Sequence, residues 1–145
     1  MNQRDQAFDD ITAELRVMGR RFKQVVHERA TAVHPQLQAA SYYVLLFLVE
    51  NGPTRGSSLA CQFDIDKGAI SRQVQHLVDL GLAERAADPE DGRAQLVSAS
   101  AEAVRLIDEA AAAQQRAWHR TLGDWTDDEL ATMAAQLGRL NEALG

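Results

Sequence analysis

Residues 54–100 read TRGSSLACQFDIDKGAISRQVQHLVDLGLAERAADPEDGRAQLVSAS. Two short helices followed by a hairpin account for this pattern. The first helix begins after Thr54 and carries Leu59 and Ala60. The second begins at Asp66, a favourable N-cap residue, turns Ile70, Val74, Leu77 and Val78 to one side, and stops at Gly81. The hairpin runs Leu82 to Arg85, turns through Asp88 to Gly92 and returns along Ala94 to Val97. A helix-turn-helix followed by a β-wing puts one helix within reach of a DNA major groove and one loop within reach of a minor groove.

With its apolar side turned inward, the second helix presents Lys67, Gly68, Ser71, Arg72, Gln75 and His76. Arg grips guanine and Gln grips adenine through paired hydrogen bonds. Gly68 and Ala69 are small enough to let the backbone approach phosphates. The plainer alternative is the solvated face of an amphipathic helix. Arg93 follows Asp91-Gly92 at the wing tip, where an arginine can enter a narrow minor groove, or else close a salt bridge within the loop. Arg85 leaves two readings open: it touches phosphate, or it braces the wing against an acid such as Asp91.

Outward from this stretch the chain reads as helix. Phe8, Ile11, Leu15, Met18, Phe22 and Val25 recur in steps of three and four, one stripe on a long helix. Pro35 suits a helix start, Leu37 to Val49 is nearly all apolar and should be buried, and Asn51-Gly52-Pro53 is a stop. Ser100 caps a helix through Val104, Ile107, Ala111 and Trp118. Thr126-Asp127-Asp128-Glu129 is a capping box, with Trp125 and Leu130 as its hydrophobic staple. The last helix carries Leu130, Met133, Leu137, Leu140 and Leu144 on one stripe. The expected fold is mostly α, six helices and a two-stranded β-wing. Long helices at residues 1–34 and 101–145 flank a winged helix-turn-helix lobe at residues 35–100, all within a single 1–145 domain. That lobe is too small to cover the long apolar stripes, so they are expected to pack on each other or on a second subunit, as the two-fold symmetry of most helix-turn-helix operators also favours.

A chain of 145 residues suits one domain with its own core. No apolar run is long enough for a transmembrane helix, and the start MNQRDQAFDD is polar and acidic, unlike a signal peptide. The single cysteine, Cys61, cannot form an intrachain disulfide and fits a reducing cytoplasm; its neighbours include no cation that would activate it, so it reads as a small structural residue. His27, His34, His76 and His119 are dispersed, without metal-ligand spacing. No nucleophile signature, phosphate loop or dinucleotide fingerprint is visible, so neither an enzyme nor a cofactor is expected. The net charge of −6 does not announce a nucleic-acid binder. Even residues 51–100 hold five Lys/Arg against seven Asp/Glu, so DNA binding would depend on placement: a few cations on the right face, helix N-termini and backbone N–H groups, with Asp79 turned away.

The segment resembles the winged helix-turn-helix of the MarR family of multiple antibiotic resistance regulators. The residues that carry the resemblance are Leu59-Ala60, Ile70-Ser71-Arg72, Leu77, Leu80-Gly81-Leu82, Arg85, and Asp88-Pro89-Glu90-Asp91-Gly92-Arg93 followed by Leu96-Val97. The flanking helices fall where that family has them. After the wing the family usually has Leu-Thr and then a Gly, where this chain has Ala99-Ser100 and Ala103. Peroxide-sensing members usually carry a cysteine in the first long helix, which this chain lacks.

The resemblance implies a homodimeric, ligand-responsive repressor bound to a pseudo-palindromic operator in double-stranded DNA, with no role for a membrane. It implies a salt bridge in which Asp91 orients Arg93. It also implies a site for a small aromatic or phenolic effector, for which Met18, Phe22, His34, Tyr42, Tyr43 and Trp118 are the candidates. The rival expectation, from the acidic balance, is a winged-helix protein with weak DNA binding that acts through protein partners.

Overall fold

The computed structural model describes residues 2–145. Its elements in chain order are α1 (Gln3–Val33), α2 (Ala39–Asn51), β1 (Thr54–Arg55), α3 (Gly56–Phe63), α4 (Lys67–Asp79), β2 (Ala83–Ala87), β3 (Gln95–Ala99), α5 (Ala101–Thr121) and α6 (Asp127–Leu144). This is the expected mostly helical, winged helix-turn-helix fold. Two units can be separated, one reaching to Ala110 and the other spanning Ala111–Gly145.

The core of the first unit lies under α2, α4 and the hairpin. Leu45, Leu59 and Leu77 have no exposed surface, and Leu48, Ile70, Val74, Leu82 and Val97 are buried with them. They come from α2, α3, α4, β3 and the turn before β2, so burial of this one cluster ties the helix-turn-helix to its wing. The core also takes in Val26, Ala30 and Val33 from the last turns of α1, and Ala103 and Ile107 from the start of α5. It therefore reaches past residues 35–100 at both ends.

Pro35 does not open a helix. His34 O accepts the N–H of Leu37 at 3.0 Å, which makes Pro35 the second residue of a four-residue turn. Burial of Leu37 fixes this turn, and α2 begins only at Ala39.

The helix-turn-helix is punctuated by short polar groups. Asp64 takes a left-handed conformation (φ 50°) at the end of α3, a role Asp tolerates better than most residues. Asp66 then caps α4, its side chain accepting the N–H of Ala69 at 2.7 Å. Gly81 supplies the positive φ (72°) that turns the chain from α4 into the wing.

The sheet has three strands in the order β1-β3-β2, not the expected two. β1 pairs Thr54 with Val97 and Arg55 with Leu96. A two-residue strand carries no alternation that a sequence can show, and it exists because β3 offers it an edge. The hairpin itself pairs Ala83 with Ala99 through Ala87 with Gln95. Ser100 closes the lobe: its hydroxyl donates to Gly81 O at 2.9 Å and accepts the N–H of Ala103 at 3.1 Å.

In the second unit, Leu122 and Trp125 close the turn after α5, and a Cβ at Gly123 would come within 2.9 Å of His119 O, so only glycine fits. The Thr126–Glu129 capping box forms as expected, with Glu129 accepting the N–H of Thr126 at 2.8 Å and Thr126 accepting that of Glu129 at 3.2 Å. No residue of α6 is buried.

Candidate nucleic-acid interface

Helix α4 buries Ile70, Val74 and Leu77 and leaves Lys67, Gly68, Ser71, Arg72 and Gln75 exposed on its outer face. Arg72 lies back along the helix, its Nη1 3.5 Å from where a Cβ would stand on Gly68. Gly68 is therefore the floor under that guanidinium. Lys67, Arg72 and Arg93 enter no ion pair among the described residues. Three free cations on the helix and wing offset part of the acidic balance, because phosphate contacts depend on local placement.

The acids are also placed to limit repulsion. Asp66 is spent on the cap of α4. Asp88 is buried, pairs with Arg55 and accepts the N–H of Glu90 at 2.9 Å. The Glu90 N–H, and after it the Arg55 guanidinium, hold the Asp88 carboxyl below the usual carboxylate range, against the opposing effect of burial. Asp79 accepts from the Gln75 amide at 2.7 Å. Glu90 and Asp91 remain exposed at the tip beside Arg93.

The wing departs from the implied salt bridge. Asp91 accepts the backbone N–H of Arg93 at 3.1 Å, not its guanidinium, so it shapes the turn rather than aiming the side chain. The carboxylate that does hold an arginine is Asp88, and its partner Arg55 comes from β1, an element the sequence reading did not contain.

Arg85 braces the wing, but against α4 and not against Asp91. It donates to Gln75 Oε1 at 2.7 Å, joining the wing to α4. His76 is half-buried and its Nε2 lies 3.0 Å from Gln36 O, so it ties α4 to the turn after α1 instead of facing outward with Lys67 and Arg72. Gln73 was not anticipated: it accepts a hydrogen bond from the fully buried hydroxyl of Ser41 and so locks α4 to α2. A glutamine on a mixed helix face gives no sequence sign of such a partner.

The effector candidates divide between the two units, with Trp118 alone in the second. Tyr42 belongs to the core and burial raises the pKa of its hydroxyl, with Arg29 acting in the other direction. His34 is half-buried and its Nδ1 accepts the N–H of Gln36 at 3.1 Å. Met18, Phe22 and Tyr43 are exposed on the first unit. Trp118 lines a concavity of about 290 Å³ in the second unit with Gln115, His119, Leu122, Gly123, Trp125, Asp127 and Leu130. Among the described residues there is no cluster that could hold a metal ion and no helix long and apolar enough to cross a membrane.

A capped helix with an exposed cationic face, held against a three-stranded wing, defines a winged helix-turn-helix DNA-binding protein. Comparison with known proteins narrows the class. Residues 36–94 match the MarR family model. The chain is 31% identical over 107 residues to an uncharacterized HTH-type transcriptional regulator of Bacillus subtilis, YxaD, covering 74% of this chain and 75% of that one. A probable transcriptional regulator from Pseudomonas aeruginosa has 29% identity and a TM-score of 0.60 over 85% of this chain and 93% of that one. A MarR family protein from Bacillus stearothermophilus shares the fold at 21% identity, with a TM-score of 0.81 over 99% of this chain and 98% of that one. The chain belongs to the MarR family, a family of transcriptional regulators.

Proposed function

We propose that this protein is a homodimeric repressor that binds a pseudo-palindromic operator and releases it when a small aromatic or phenolic effector binds. It acts by binding rather than catalysis, and DNA as the partner makes the cytoplasm its site of action. Residues 35–100 serve as the DNA-binding lobe, and the helices of 1–34 and 101–145 as the dimerisation helices.

The observation that carries this reading is uncovered apolar surface. On α6, Leu130, Met133, Leu137 and Leu144 are 37–74% exposed; on α1, Phe8, Ile11, Met18 and Phe22 are 37–54% exposed. Stripes of this length on a monomer call for a partner surface, and a second copy also supplies the second recognition helix that a two-fold operator needs. Two recognition helices must stand about 34–36 Å apart or a multiple to meet successive major grooves, so a shift of a few Å on effector binding is enough to release DNA. Of the effector candidates, Met18, Phe22 and Tyr43 stay at the surface of the first unit and Trp118 at that of the second. For DNA, the proposed contacts are Lys67, Gly68, Ser71 and Arg72 on α4 and Arg93 on the wing.

Sedimentation and gel shift on the DNA flanking its own gene test the reading together. A dimer that retards one DNA fragment and releases it on addition of simple phenols or benzoates is the expected result. A stable 16.0 kDa monomer at micromolar concentration overturns the assembly. The exposed acids Glu90 and Asp91 favour a second reading, action through a protein partner with weak DNA binding; absence of salt-dependent retardation would support it.

A further inference from the structure

We infer that Gln75 is a positioning residue, the middle of an Arg85–Gln75–Asp79 relay that sets the wing against the recognition helix. The inference rests on the reading of α4 and the wing as the DNA-contacting surface.

Arg85 Nη1 donates to Gln75 Oε1 at 2.7 Å, and Gln75 Nε2 donates to Asp79 Oδ1 at 2.7 Å. An arginine only donates and a carboxylate only accepts, so the amide between them can lie only one way round. Gln75 and Asp79 are four residues apart on α4 and share a face, which lets the carboxylate hold the amide in place. Arg85 stands in the middle of β2, opposite Val97 of β3, so its grip on Gln75 holds the hairpin that carries Arg93 at its midpoint. Among the described residues this is the only side-chain hydrogen bond between α4 and the hairpin.

Reading adenine takes the carbonyl oxygen and the amino group of one amide together. In Gln75 both already have partners. What the relay supplies to recognition is the offset between the helix in the major groove and the loop beside it. If the relay is broken, the lobe keeps its buried core but the wing loses its register on the duplex. The relay also gives Asp79, an acid on the DNA-binding helix, a use that outweighs its repulsion.

The test uses the full-length chain and the duplex that it enriches from a random-sequence library. Affinities are measured for Gln75→Ala, Arg85→Ala, their double substitution, Asp79→Ala and Asp79→Asn, with circular dichroism to verify folding. Each alanine substitution should weaken binding about threefold to tenfold, and the double substitution should be no weaker than Arg85→Ala alone, because contacting residues are non-additive. Base preference at the major-groove positions should persist in Gln75→Ala while preference in the flanks flattens. Asp79→Ala should weaken binding although it removes a negative charge, and Asp79→Asn, which keeps the acceptor, should restore it. Multiplicative losses in the double substitution, loss of preference at a single base position in Gln75→Ala, or tighter binding by Asp79→Ala would overturn the relay while leaving the DNA-binding reading intact. A wild-type chain that enriches no sequence overturns both.

Discussion

Arg55 and Asp88 form an ion pair that joins the residue in front of α3 to the residue that follows the wing's β2 strand. Asp88 is buried, and its carboxylate also accepts the N–H of Glu90 while its own N–H donates to Ala94 O at 3.0 Å across the hairpin. One side chain thus organises the wing's turn and anchors it to the helix-turn-helix.

That anchor should be sensitive to acid. The Asp88 carboxyl titrates below its ordinary value in the folded chain, chiefly because of the Glu90 N–H. A carboxylate of this kind adds stability that is present above its unfolded pKa, about 3.9, and is lost as the pH falls through the lower folded value. The wild-type chain should therefore be more stable than Asp88→Asn at neutral pH, and the two should converge below about pH 4. Urea unfolding midpoints across a pH series measure the gap; a gap that does not change with pH would contradict the assignment.

Arg72 is free of ion pairs among the described residues and stands on the exposed face of α4. Arg72→Ala should cost about 1–3 kcal/mol of operator affinity and relax preference at one position per half-site if it reads a base. Even weakening across all sequences, with a shallower salt slope, would identify a phosphate contact instead. Unchanged affinity would remove Arg72 from the interface.

The wing separates charge from shape. Arg93→Ala should weaken binding roughly tenfold, most on sites with A·T-rich flanks, where the narrow minor groove is most negative. Asp91 accepts the Arg93 N–H, so its acceptor oxygen is what the turn uses. Asp91→Asn, which keeps that oxygen and sheds the charge, should bind DNA as well as wild type or better, and Asp91→Ala should bind more weakly than Asp91→Asn. Equal affinities for the two, compared on one operator at two salt concentrations, would mean that the turn contact is irrelevant.

Ser100 caps α5 and at the same time donates to Gly81 O. Ser100→Ala removes the cap, worth about 0.5–2 kcal/mol, and leaves the Gly81 carbonyl without that donor. Ser100→Thr retains both groups and should recover most of the loss. Chemical denaturation of the three chains decides it, and identical stabilities would show that neither bond matters.

Much of this protein was legible in residues 54–100 and the stripes around them. The 3.6-residue recurrence of Ile70, Val74 and Leu77, the cap at Asp66, the stop at Gly81 and the capping box at Thr126 act within a few residues of themselves, so the sequence alone places them. The exposed face of α4 follows from the same period, which is why Lys67, Ser71 and Arg72 were legible as exposed residues and so as candidate contacts. Tertiary structure decided what depends on partners distant in the chain. Arg55 lies 33 residues from Asp88, Ser41 is 32 from Gln73, and His76 is 40 from Gln36. Two-residue β1 exists only because β3 is beside it, and Arg85 meets Gln75 only because the hairpin folds back onto α4. A polar side chain carries no sequence mark of which distant donor or acceptor it will meet, whereas an apolar one announces by its spacing which side of its helix is buried.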